Sequence, residues 1–197
     1  MSRGATDRTV RIIGGNWRSR KVSFAAHDDI RPTPARIRET LFNWLQYHIH
    51  GARCLELYAG SGILSIEALS RGAGHVTLVD SSRQVIDHAE HVLTGLCADE
   101  QKFECYRGTA QEWVQSCQQD PYDIVFLDPP FASDELSSIV ELLEESTLLT
   151  DNALIYLESD SRVDQLQLPG HWTVHRQKRA GDVHYCLVIR DEDIEPR

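Results

Sequence analysis

After Gly51 the chain settles into an alternation that few folds can accommodate. Short apolar runs, "RCLELY", "HVTLVD", "FECYRG", "YDIVFLD" and "ALIYLES", are separated by helical segments that start near Ile63, Arg83, Ala110 and Ser133. Strand, helix and strand repeated in this way predict a mostly parallel sheet covered by helices on both faces. The pattern changes at the end, where "HWTVHRQKRAGDVHYCLVIR" holds two strand-like runs around a turn at Ala180, Gly181 and Asp182. That predicts a C-terminal antiparallel hairpin and brings the sheet to seven strands. The fold class is therefore α/β, and 197 residues leave room for one such domain with a small appendage.

The appendage is N-terminal. "TVRIIGGNWRSRKVSF" alternates apolar and polar residues on either side of Gly14, Gly15 and Asn16, which predicts a small β-hairpin turning at those residues. A loop, "AAHDDIRPTP", leads to "ARIRETLFNWLQYHI", where Ile37, Leu41, Trp44, Leu45 and His48 share one helical face and Pro34 stands in the first turn. Arg36 and Arg38 point away from that face. The boundaries follow as a basic arm over residues 1–33 and the α/β domain over 34–197.

Charge separates the two parts. The net charge is −10, yet residues 1–38 hold nine Lys and Arg against three Asp. A basic arm on an acidic body attracts a polyanion to one face and repels it from the others, so nucleic acid is admitted as a partner on that face only. No apolar stretch reaches the roughly 20 residues that span a bilayer, and the polar, basic start lacks the apolar core of a signal peptide. The expectation is a cytoplasmic protein without a membrane partner. Cys54, Cys97, Cys105, Cys117 and Cys186 form no C-x-x-C pair and have no His at ligand spacing, so they read as reduced thiols, and no metal is implied.

The first chemical signal is Glu56-x-x-x-Gly60-x-Gly62, at the end of the first run after Gly51 and at the start of a helix. Glycines there let the backbone turn sharply and approach a ligand in the crevice where open α/β sheets bind cofactors. A dinucleotide fingerprint would need a third glycine where Ser65 stands, and a pyrophosphate disfavours a carboxylate such as Glu56 nearby. S-adenosylmethionine, with a sulfonium and an ammonium group, suits that acid better. Asp80, 18 residues beyond Gly62, ends the second strand and can accept hydrogen bonds from ribose hydroxyls. Gly108, Thr109 and Ala110 end the third strand, where the adenine would lie. Glu56 as a cap on a local amide and Asp80 as a helix cap remain the alternative readings.

The fourth strand ends in Asp128-Pro129-Pro130-Phe131. Taken in order with Glu56-x-x-x-Gly60-x-Gly62 and Asp80, this set resembles the class I S-adenosylmethionine-dependent methyltransferases, and Asp-Pro-Pro-Phe resembles their amino-methylating branch. The resemblance implies a Rossmann-like sheet, S-adenosylmethionine as donor and S-adenosylhomocysteine as product. It adds Tyr58 and Ser81 to the cofactor set, beside Glu56, Gly60, Gly62, Asp80, Gly108, Thr109, Ala110 and Asp128. The target would be a planar nitrogen whose lone pair is delocalised. Asp128 and the carbonyl of Pro129 can accept its N–H groups and turn the lone pair toward the donor, while Phe131 stacks on the base. Asp128 can also take the departing proton.

"RIIGGNWRSRKVSF", "RPTPARIRETLFNWL" and "LELYAGSGILSIEALSRGA" are in addition similar to the bacterial 16S ribosomal RNA guanine-N2 methyltransferases of the RsmD type, over nearly the whole chain. That resemblance implies methylation of the 2-amino group of one guanine in small-subunit RNA, with an assembled or partly assembled 30S particle as the substrate; a monomer is expected. It implies RNA contacts from Arg11, Trp17, Arg18, Arg20 and Lys21 on the hairpin, and from Arg31, Thr33, Arg36 and Arg38 near the pocket. Thr109 departs from the acid that relatives carry. The competing readings are a DNA adenine or cytosine amino-methyltransferase, a protein-glutamine methyltransferase, a nicotinamide oxidoreductase and a non-catalytic RNA-binding assembly factor.

Overall fold

A computed structural model describes residues 8–24, 31–96, 99–130 and 135–191. The alternation after Gly51 produces β3 (Arg53–Leu57), α2 (Ile63–Ser70), β4 (His75–Asp80), α3 (Arg83–Leu96), β5 (Phe103–Arg107), α4 (Ala110–Ser116), β6 (Tyr122–Leu127), α5 (Glu135–Glu145) and β7 (Leu149–Ser159). They are preceded by β1 (Arg8–Arg11), β2 (Lys21–Phe24) and α1 (Ala35–Trp44), and followed by β8 (Trp172–Ala180) and β9 (Val183–Arg190). The main sheet has seven strands in the order β5-β4-β3-β6-β7-β9-β8. β3 to β7 are parallel, whereas β9 runs antiparallel to β7 and β8 antiparallel to β9. The predicted Rossmann-like α/β class and its C-terminal hairpin are both present. No helix among the described residues is long and apolar enough to cross a membrane.

Two apolar layers flank the sheet. α1, α2 and α3 bring Leu41, Phe42, Ile66 and Leu93 onto one face, against Phe126, Tyr156 and Leu187. α4 and α5 bring Trp113, Val114, Ile139 and Leu143 onto the other, against Leu57, Leu127 and Leu157. Neighbouring residues of one strand thus serve different layers, as the period of two along a strand requires.

The N-terminal hairpin departs from its predicted form. β1 and β2 pair from Arg8↔Phe24 to Arg11↔Lys21, so residues 12–20 form a long loop rather than a tight turn at Gly14, Gly15 and Asn16. The loop is spent on docking. Gly15, at φ +72°, lies so close to the C-terminal turn of α2 that a Cβ would sit 1.8 Å from the Ser70 carbonyl oxygen. The Asn16 amide donates to that carbonyl and the Trp17 amide to the Ser70 hydroxyl. Ile12 and Val22 join the same apolar layer as α1 and α2, so the hairpin is packed onto the domain.

α1 is shorter than its apolar spacing predicts. It stops at Trp44, the amides of His48 and Ile49 bond back to Leu45, and His48 is exposed. α5 begins at Glu135, two residues after the predicted start; Ser133 lies outside the described residues.

Candidate active site

Parallel strands bring their C-terminal ends together, and the strand order reverses beside β3, whose neighbours are β4 and β6. Such a reversal opens a crevice at those ends. Leu57, Leu127 and Leu157 are in register across β3, β6 and β7 and face the α4–α5 layer. Alternation then turns Glu56, Asp128 and Glu158 to the opposite face.

Glu56 is buried and accepts the Ser65 amide at 2.9 Å. Burial pushes its carboxyl up to about 7, although that hydrogen bond pulls the other way. The capping role left open by its position is therefore real, since Glu56 holds the first turn of α2. The glycine loop lies between them with three left-handed residues, Tyr58 at φ +61°, Gly60 at +52° and Gly62 at +66°. A non-glycine in that region is strained, and such residues cluster at functional sites.

Asp80 braces the same loop. Its carboxylate accepts the Gly60 amide at 2.9 Å and the Ser82 amide at 2.8 Å, while Ser81 is exposed between them. The Gly108 amide donates to the Asp80 carbonyl, which places the end of β5 against the end of β4. Thr109 is the N-cap of α4 in a capping box with Glu112, and Ala110 is buried behind it. Thr109 thus has a local structural task. Gln111 reaches back to the Tyr58 hydroxyl at 3.3 Å and ties α4 to the glycine loop.

Asp128 lies one residue beyond β6, with Pro129 buried behind it and Pro130 exposed. Burial raises its carboxyl to about 6. Phe131, the proposed stacking ring, lies outside the described residues.

The sequence reading missed Glu158, which stands next to Asp128 in the neighbouring strand. It is buried, accepts the Tyr156 hydroxyl at 2.7 Å and is hydrogen-bonded by the Thr33 side chain. Burial, reinforced by the nearby Asp128 charge, raises its carboxyl to about 8. Its signal was present, because "ALIYLES" carries an acid one residue after Leu157, as Asp128 follows Leu127 in the strand beside it.

The expected RNA contacts divide. Arg11, Arg18, Arg20, Lys21, Arg31 and Arg36 are exposed. Arg38 is a correction. It is buried, with its guanidinium 2.5 Å from the Glu67 carboxylate and further bonds to the carbonyls of Thr33 and Arg11, so its donors are engaged inside the protein. α2 presents a buried acid to that side of α1, and an ion pair satisfies both. Thr33 is also buried, with its side chain hydrogen-bonded to Glu158. Trp17 is half-buried against the apolar layer, which removes much of the ring surface expected for stacking. α2 starts at the glycine loop and ends at Ser70, so the loop docked there stands about 12 Å, one length of that helix, from the crevice.

The model of the family "Conserved hypothetical protein 95" matches residues 10–189. The chain is 41% identical over 182 residues to ribosomal RNA small subunit methyltransferase D of Escherichia coli K12, covering 92% of this chain and 90% of that protein. It is 39% identical to the protein of the same name from Haemophilus influenzae, covering 90% and 92%. Among solved structures, yhhF from Escherichia coli superposes with a TM-score of 0.85 at 40% identity, covering 94% of this chain and 100% of that one.

Proposed function

Because the chain belongs to the family of ribosomal RNA small subunit methyltransferase D, we propose that it transfers a methyl group to the exocyclic N2 of one guanine in small-subunit ribosomal RNA. The donor in this reading is S-adenosylmethionine, and the substrate is an assembled or partly assembled small subunit. The observation that carries it is the placement of Asp128, one residue past β6, on the sheet face shared by Glu56 and Glu158 and beside the glycine loop.

The residues fit the donor by charge and shape. Glu56 and Asp128 are raised chiefly by burial, so their negative charge is poorly compensated and a cation beside them is favoured. The left-handed loop at Tyr58, Gly60 and Gly62 exposes backbone beside Asp80, whose carboxylate suits ribose hydroxyls. S-adenosylmethionine supplies an electrophilic methyl on sulfur when bound. Gly108, Thr109 and Ala110 would flank its adenine.

The protein's share of the chemistry is orientation. The guanine 2-amino group is a poor nucleophile because its lone pair is delocalised into the ring. Asp128 and the Pro129 carbonyl accept its two N–H groups, which turns the lone pair out of conjugation and toward the methyl. The two prolines restrict the backbone that carries those acceptors. After transfer the amine carries an extra proton, which leaves to the Asp128 carboxylate or to water. A guanine in a stem is inaccessible to such a site, so the target base is unpaired or flipped.

The test is transfer of labelled methyl to naked ribosomal RNA, small subunits, total RNA and DNA, followed by nucleoside analysis. N2-methylguanosine from small-subunit RNA is expected. Methyladenine or methylcytosine from DNA would replace this reading with a DNA amino-methyltransferase, and absence of transfer to every substrate would leave an RNA-binding assembly factor.

A further inference from the structure

The N-terminal loop docks at the far end of α2, so a basic surface on another side of the crevice would complement it. Several cations of the α/β domain are already neutralised: Arg71 pairs with Glu67, Arg83 with Asp87, Arg162 with Asp164, and Arg190 with Glu144. β8 differs. It is one of the two edge strands of the sheet, residues Thr173 to Arg179 are exposed, and it carries Arg176, Lys178 and Arg179 without an acid. Arg179 pairs with Asp182, but Arg176 and Lys178 have no carboxylate partner among the described residues. In a chain of net charge −10, two such cations on one exposed strand form a local basic patch.

Register puts them near the site. Lys178 pairs with Tyr185, and Tyr185 with Glu158, which stands beside Asp128. Partners in adjacent strands project to the same face, so Lys178 and, two residues away, Arg176 emerge on the α1 side that carries Asp128. Three strand spacings separate Lys178 from Asp128, about 14 Å. A row of exposed cations at that distance suits the backbone of an RNA whose base lies in the crevice. We propose that Arg176 and Lys178 on β8 form a second phosphate-binding surface, which holds the RNA backbone a few nucleotides from the target base.

This surface rests on the reading of the protein as an RNA methyltransferase, and its occupant is RNA backbone by charge complementarity. The contacts are sequence-independent, so they position the strand without selecting the base. Arg31, ahead of α1, and Arg36, in its first turn, are also exposed, and Thr33 between them is hydrogen-bonded to Glu158. They provide continuity toward the pocket.

The experiment compares the wild type, the double variant Arg176→Glu with Lys178→Glu, and a control with the same charge change on the opposite sheet edge, Lys102→Glu with Arg107→Glu. For each, KM and kcat for small-subunit RNA and particles, the salt dependence of naked-RNA binding, and the melting shift with S-adenosylmethionine are measured. The inference expects the β8 variant to raise KM about tenfold and to lower the slope of log affinity against log salt by about 1 to 2, with kcat and the cofactor shift retained. It is overturned if the β8 variant matches the wild type, if the control weakens binding equally, or if only particle binding falls while naked-RNA binding is unchanged, which would assign β8 to a protein partner. Failure of the wild type to methylate any RNA would instead overturn the proposed function, and the β8 reading with it.

Discussion

The guanidinium of Arg38 and the carboxylate of Glu67 lie 2.5 Å apart, both buried, and join α1 to α2 under the N-terminal hairpin. Glu67 also accepts the Ile13 amide, and Arg38 donates to the Arg11 carbonyl, so one ion pair gathers three segments. Burying two charges is costly, but removing one leaves the other uncompensated. We predict that Arg38→Ala or Glu67→Ala lowers stability by about 3 kcal/mol or more, measured by denaturant unfolding. Loss of RNA affinity in Arg38→Ala without loss of stability would restore Arg38 to the binding surface.

Gly15 fastens the hairpin loop to the end of α2. Its left-handed φ and the 1.8 Å approach of a virtual Cβ to the Ser70 oxygen leave no space for a side chain. Gly15→Ala is therefore expected to cost roughly 2 kcal/mol or more and to increase amide exchange at Asn16 and Trp17. Unchanged protection at both amides would show that the loop does not depend on this contact.

Asp128 carries the orientation of the amine in the proposed chemistry. Asp128→Asn should retain the melting shift produced by S-adenosylmethionine while turnover falls by about 100-fold or more. The pH profile follows from the same group. Burial raises the carboxyl to about 6, and only its ionised form accepts both as a base and as a strong hydrogen-bond partner. Turnover of the wild type should thus rise as pH increases through about 6, and a profile flat across that range would contradict an ionised Asp128.

Glu56, Asp128 and Glu158 are all raised by burial, to about 7, 6 and 8. The unfolded chain releases these protons near the ordinary carboxylate range of about 4. Between that range and the raised values the folded state binds more protons, so stability falls as pH rises. The ligand-free protein should therefore melt higher near about pH 5 than near about pH 8, and Glu158→Gln should flatten the upper part of the decline. Equal melting temperatures for the wild type at both ends would count against the buried carboxyls.

How far the site was legible follows the range of each contact. Strand and helix identities from Gly51 onward are local, because they rest on apolar period and glycine placement, and they fix which strand ends carry Glu56, Asp80 and Asp128. The family motifs point to methyl transfer for the same reason: backbone turns and rigid prolines are encoded by adjacent residues.

The fate of the arginines was not legible. Arg36 and Arg38 are two residues apart and equally basic, yet one is exposed and the other buried, because α2 presents Glu67 to only one of them. Glu158 joined the site because β7 pairs in register with β6, and β8 acquired its place near Asp128 through two further pairings. The sequence by itself determined the elements, their order and the acids at their ends. Tertiary structure alone decided which charges are compensated, since burial and partners come from segments distant in the chain and only packing brings them together.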